Sequence, residues 1–391
     1  MSRIARPLVP ALAIVLALAA AACGGPGDAV TPAPLGAAGA ARPVLRAKVG
    51  VVLPLSGADA ALGKEASLGV ELAREAFEEA TGAKVELLVR DDGFLPQGAT
   101  RETEAVAEAG ADAVVGELGS SRTALVAAAA EAKNIPLVIP LATAPGLVEG
   151  RAWVVRIVPD DEQQGEAAAA LVEPRTKVAI AYHPSSAWSK SVVEGFAKGM
   201  AERGGSIEHF AAVAPGDADL GTTAERIDGE KARLVFAALF APDVAALSGA
   251  LARRGSFALV GGDALDTDEV ASHPRELEGV RYVGHFAADA PWPEARRLVA
   301  LHARRAPGSP SSIEALAYDA TLVALEAVGR AGGGSRGAVR AELGKTRGRA
   351  GASGTLAFGP AGRVLKEMPV LELRRDGERL RPVFHGVVKT R

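Results

Sequence analysis

Residues 47–90 read AKVGVVLPLSGADAALGKEASLGVELAREAFEEATGAKVELLVR. The run 47–54 is short and β-rich, 61–80 carries Ala and Glu with a helical period, and 84–90 is β-rich again. A strand, a helix and a second strand in series make a right-handed crossover between parallel neighbours. The alternation continues outward with a helix about 97–109, a strand 112–116, a helix about 121–132 and a strand 136–139. A second series follows: strand 153–157, helix 162–172, strand 177–182, helix 188–203, strand 206–213, a short helix near 222–228, strand 233–238, helix 242–254 and strand 257–261. The fold class expected is α/β, with two doubly wound parallel-sheet lobes.

After residue 286 the pattern changes to two consecutive helices, 293–305 and 312–330, then a Gly-rich turn at 331–337 and β-like stretches to the C-terminus. Helices with no strand between them suggest a chain returning to finish an earlier lobe. The expected crossings lie near 159–161, 286–291 and 352–358 and form a three-stranded hinge. Lobe 1 is then 46–159 with 288–352, and lobe 2 is 160–287 with 353–391.

Before the first strand, Arg3 and Arg6 precede an apolar stretch from Leu8 to Ala22 that is too short and Ala-rich for a comfortable membrane span. It reads as an export signal ending at Cys23, the only cysteine. The segment Ala19-Ala20-Ala21-Ala22-Cys23-Gly24 resembles a bacterial lipobox, although Ala20 stands where a large aliphatic residue is usual. That implies lipidation of Cys23 and an exported envelope lipoprotein facing the periplasm or the extracellular side; cleavage at a small-x-small site is the alternative. Residues 24–45 are small and Pro-containing without apolar periodicity, which reads as a flexible tether.

Composition narrows the function classes. The 391 residues carry 44 Lys and Arg against 47 Asp and Glu, a net charge of −3, so no basic surplus speaks for nucleic acid. Aromatic residues make up 4%, too few for a stacking platform. The six histidines, His183, His209, His273, His285, His302 and His385, are scattered singly and read as surface or helix-end residues, with no metal-ligand spacing. No cofactor motif is present either. Gly333-Gly334-Ser335-Arg336-Gly337 matches GxSxG, but it follows a helix rather than a strand and lacks the context of a nucleophile elbow. Arg90-Asp91-Asp92 places its carboxylates on opposite faces of a strand, which suits capping or an edge.

Several stretches together resemble the periplasmic binding proteins of the leucine/isoleucine/valine type: GVVLPLSGADAALGKEASLGVELA, AVVGELGSSRTALVAAAAEAKNIPLVIPLATAP, FALVGGDAL, LEGVRYVGHF and AYDATLVALEAV, in that order. The resemblance covers almost everything from Val49 to about Gly362 and implies the type I fold of that family. In open α/β sheets, ligands bind beyond the carboxyl ends of the strands, where helix N-termini favour anions. Gly119-Ser120-Ser121 and Leu141-Ala142-Thr143 occupy two such loops. By resemblance they hold a ligand carboxylate; N-capping is the alternative role. The resemblance likewise puts a carboxylate for the ligand ammonium at Asp263, with Asp266 competing and helix capping again the alternative. It aligns Trp188 and Phe240 with second-lobe tyrosines of relatives, and Leu62 with a first-lobe aromatic, so the pocket reads as less polar than usual. The implied function is a solute-binding lipoprotein of an ABC importer that takes an amino acid or related carboxylate, meets a membrane permease and performs no chemistry. A ligand-sensing or protein-interaction lipoprotein of the same fold, such as a regulator of cell-wall synthases, stays open.

Overall fold

Val49, Val51, Val52 and Leu53 of β1 (Arg46–Leu53) are all fully buried, as a strand must be when helices cover both faces of a parallel sheet. The structure is a computed structural model that describes residues 44–217, 220–360 and 363–390, so the signal segment, Cys23 and residues 24–43 lie outside the described residues. Around β1 stand β2 (Lys84–Asp91), β3 (Ala113–Gly116), β4 (Leu137–Ile139) and β5 (Val154–Arg156), in the order β2-β1-β3-β4-β5, all parallel. One face, with Val49, Val51, Val115 and Val138, packs in one cluster with α1 (Ala60–Thr81) and α9 (Ser312–Arg330). The other, with Val52, Val114, Leu137 and Ile139, packs with α2 (Pro96–Glu108) and α3 (Ser120–Ala132). α1 stops at Gly82, whose φ of +69° is the left-handed turn that glycine adopts without a Cβ penalty.

The second sheet contains β6 (Lys177–Tyr182), β7 (Ser206–Ala212), β8 (Leu234–Ala238), β9 (Ala258–Gly261), β10 (Arg281–Val283), β11 (Leu356–Phe358), β12 (Val364–Asp376) and β13 (Arg379–Lys389). Its order is β11-β12-β10-β9-β8-β6-β7, with β13 paired to β12. Strands β6 to β10 are parallel, whereas β12 runs antiparallel to β10, β11 and β13, so the C-terminal stretches convert a parallel sheet into a mixed one. Helices α4 (Asp161–Ala169) and α5 (Ala187–Glu202) cover one face, while α6 (Gly221–Gly229) and α7 (Ala241–Ala252) belong to the cluster on the other. The chain then forms α8 (Pro293–His302) and α9, which pack on α1; α9 also touches β1, β3 and β4 of the first sheet. α9 is buried on almost every side from Glu314 to Val328, as expected of a helix held between layers.

Two sequence readings need correction. The Gly-rich turn gives way to a short helix, α10 (Arg336–Leu343), capped by Ser335, whose Oγ accepts from the Ala338 N–H at 3.4 Å; the serine of the GxSxG match is thus a helix cap. Three of the histidines are core residues rather than surface ones: His183, His285 and His302 are 0%, 4% and 5% exposed, although His302 does end a helix, α8. Each is buried beside a carboxylate, Asp243, Asp263 and Glu314 respectively, which makes burial of a polar ring tolerable.

Helices α4 and α5 approach backbone to backbone through glycines. A Cβ on Gly165 would lie 2.0 Å from the Val192 carbonyl oxygen, and one on Gly195 2.0 Å from that of Glu162. Gly195→Ala should therefore cost about 1–3 kcal/mol despite the better helix propensity of alanine. Gly229→Ala, which meets open space within α6, should be neutral or stabilising. Urea unfolding midpoints of the two variants check the contrast.

Candidate functional site

The loops at the carboxyl ends of β3 and β4 carry the first set of donors. Gly119 is the N-cap of α3 and no side chain caps that helix, so Ser120 and Ser121, in its first turn, are not consumed by capping. The Ser120 Oγ accepts from the Ala144 N–H at 3.3 Å and ties the two loops together, while Ser121 is exposed. Leu141 is half-buried and Ala142 buried. The Thr143 carbonyl accepts from the Asp161 N–H at 3.1 Å.

Asp161 is the residue that sequence reasoning missed. Three acidic residues, Asp160, Asp161 and Glu162, open α4, and only the first is its cap: Asp160 accepts from the Gln163 N–H at 2.8 Å, Gln163 answers at the Asp160 N–H, and buried Arg156 donates to Asp160 Oδ2 at 3.1 Å. Asp161 is left 3% exposed with its Oδ1 unpartnered. Burial pushes its carboxyl up to about 7; the Asp263 charge adds to that, and a hydrogen bond from the Thr143 side chain works against it. The helix dipole favours acidic residues throughout a first turn, so the sequence does not separate buried Asp161 from exposed Glu162 beside it; burial does.

On the second sheet, Asp263 opens a 3-10 turn after β9 and caps nothing. Its Oδ1 accepts from the Trp188 indole N–H at 3.0 Å, and its Oδ2 lies 3.2 Å from His285 Nε2. Trp188 stacks on Phe240 at 5.6 Å between ring centroids, and Phe240 on His183 at 5.3 Å. Phe240 remains 45% exposed. Asp266 is engaged elsewhere: its Oδ2 accepts from the His285 N–H at 3.1 Å and from the Ser312 hydroxyl at 2.6 Å. Leu62 is carried separately, in the first turn of α1, at 36% exposure. The structure thus brings Asp263, Trp188 and Phe240 together with His183 and His285, and Thr143 together with Asp161, whose carboxyl the Asp263 charge helps to raise.

A buried cation fixes the loops that carry Ser120 and Ser121. The Arg122 guanidinium donates through Nε to Glu117 Oε1 at 3.0 Å and through Nη2 to Asp59 Oδ2 at 2.7 Å. Its Nε lies 3.7 Å from Asp92 Oδ2, and its central carbon 4.1 Å from the centroid of the Phe94 ring. Glu117 Oε2 accepts from the Gly119 N–H at 2.8 Å. Asp59, Asp92 and Glu117 follow β1, β2 and β3, so one guanidinium joins three strand-end loops. Burial raises the Glu117 carboxyl to about 7 against the pull of Arg122. Among the described residues, no group of three His, Cys, Asp or Glu is placed to hold a metal ion, and no helix is long and apolar enough to cross a membrane.

The profile of a family described as periplasmic binding protein matches residues 46–378. A Leu/Ile/Val-binding protein homolog of Brucella melitensis is 30% identical over 229 residues, which is 56% of this chain and 62% of that protein, so the alignment leaves over a third of the relative unmatched. Among solved structures, a leucine binding protein from Thermotoga maritima is similar with a TM-score of 0.71 and 25% identity, covering 88% of this chain and 98% of the other. A putative branched-chain amino acid ABC transporter protein from Rhodospirillum rubrum is similar with a TM-score of 0.78 and 26% identity, covering 87% and 100%.

Proposed function

This chain belongs to the periplasmic binding protein family, and from that premise we propose that it is the solute-binding component of an ABC importer, taking an amino acid, with leucine, isoleucine and valine the first candidates, between its two lobes. The observation that carries the ligand class is Asp161, a buried carboxylate with an unpartnered oxygen, close enough to Asp263 for the two charges to interact. Two anionic groups in one neighbourhood suit an ammonium, and the first-lobe hydroxyls and helix N–H groups around Ser120, Ser121 and Thr143 suit a carboxylate. The Trp188–Phe240 stack provides an apolar wall for a side chain.

The moving bodies are residues 46–159 with 288–352 and residues 160–287 with 353–391, and closure desolvates the ligand without any bond being made or broken. The closed form is what a membrane permease recognises. Lipidation at Cys23 with export to the cell envelope completes the reading, and a diacylglycerol plus an amide-linked chain would anchor it stably. Native mass spectrometry of the purified full chain, followed by isothermal titration with each of the twenty amino acids, tests it. A saturable response to leucine, isoleucine or valine is expected. No bound molecule and no response to any amino acid would overturn the ligand assignment and favour a protein-interaction role.

A further inference from the structure

We infer that Asp266 is a positioning residue through which closure of the lobes is coupled to the ligand-facing carboxylate of Asp263; the ligand side of this inference rests on the amino-acid reading above. Asp266 follows β9 of the second sheet, whereas Ser312 opens α9, which packs on α1 and the first sheet. Ser312 is not needed by its own helix, because Ser311 is the N-cap and its Oγ accepts from the Glu314 N–H at 3.2 Å. The Ser312 hydroxyl donates instead across to Asp266 Oδ2 at 2.6 Å.

The same oxygen accepts from the His285 backbone N–H at 3.1 Å, which fixes the end of the segment after β10. Close approach is possible there because Gly284 has no side chain: a Cβ would lie 3.3 Å from Asp266 Oδ2 and 2.5 Å from Leu371 Cδ1. The His285 ring then lies 3.2 Å from Asp263 Oδ2, and the Trp188 indole holds the other Asp263 oxygen at 3.0 Å. Ser312, Asp266, His285, Asp263 and Trp188 form a continuous polar chain from the first-lobe helix to the aromatic wall. Asp266 also stands at the N-terminus of α9, where a carboxylate is favoured. Separating the lobes breaks the Ser312 link, frees Asp266 and slackens the His285 contact that orients Asp263. By reciprocity, whatever engages Asp263 favours the closed arrangement.

The test uses the full chain labelled with nitrogen-15 at its three tryptophans, Trp153, Trp188 and Trp292. In ligand-free protein, Ser312→Ala should shift the Trp188 indole N–H resonance and leave the other two in place, whereas Ser311→Ala, which weakens the start of α9, should leave all three. With L-leucine as probe, Ser312→Ala and Asp266→Asn should each weaken binding about tenfold, and the double variant should lose no more than either single one. An unmoved Trp188 resonance in Ser312→Ala, or single losses that multiply in the double variant, overturns the coupling. If the wild type does not bind leucine, the amino-acid reading fails for that ligand while the indole comparison still decides the chain of contacts.

Discussion

Arg122→Met should lower the free energy of unfolding by about 3–5 kcal/mol, because it removes the cation shared by three carboxylates, two of which the fold has taken out of water. Glu117 is fully buried and Asp92 1% exposed, so neither can recover its lost partner from solvent. Methionine fills much of the same volume over Phe94, which confines the change to charge and hydrogen bonding. The loss should grow with pH. Burial raises the folded Glu117 carboxyl from the usual 4.5 to about 7, so between those values the native state holds a proton that the unfolded chain has released, and the contribution of this group to stability falls as pH rises through that window. Without Arg122, ionising Glu117 costs still more, and the variant should be closest to wild type near pH 5.5 and furthest near pH 8. Urea unfolding at both values decides it. A loss under about 1 kcal/mol that is the same at both would reduce Arg122 to a screened surface charge.

Asp161→Ala should weaken amino-acid binding at least about a hundredfold, since an ammonium desolvated in the cleft without its partner costs several kcal/mol. Asp161→Asn should lose nearly as much, because it keeps the shape and removes only the charge. Ser121→Ala, deleting one exposed hydroxyl among several donors, should cost only about tenfold or less. The carboxyl that burial has raised to about 7 adds a pH signature. Below that value the free protein is protonated at Asp161, and binding an ammonium must expel the proton, so wild-type affinity should fall from pH 7 to pH 5. The Asp161→Asn variant should lack that slope. Titration calorimetry in buffers of different ionisation enthalpy measures the proton release directly. A loss at Asp161 no larger than that at Ser121 would place the ammonium elsewhere.

The order of strands and helices was legible because a parallel sheet buried on both faces writes itself as apolar runs between amphipathic segments, as in β1 and α1. α10 was not, since its eight residues follow a glycine cluster and its start depends on one serine cap. The buried histidines were hidden because their partners are supplied by the fold: His285 meets Asp263 across 22 residues, and Trp188 meets the same carboxylate across 75. The loops with Ser120, Ser121 and Thr143 were located by resemblance and by the strand-end rule. Asp161 escaped because it stands among three consecutive acidic residues at a helix start, and only the geometry shows that Asp160 is the cap, Glu162 is exposed and Asp161 is buried.

The position of α9 also sets the order in which the chain acquires its structure. The face of the first sheet formed by Val49, Val51, Val115 and Val138 shares its core with residues 315–328, which a ribosome delivers long after β5 has ended at Arg156. Until then that face has α1 alone from the α1–α9 layer, and the missing contacts are among the most distant in sequence that the chain makes. Such long-range closure is slow and leaves apolar surface open to association while it waits. The first sheet is therefore the earlier of the two sheets to be synthesised and one of the last parts to be completed.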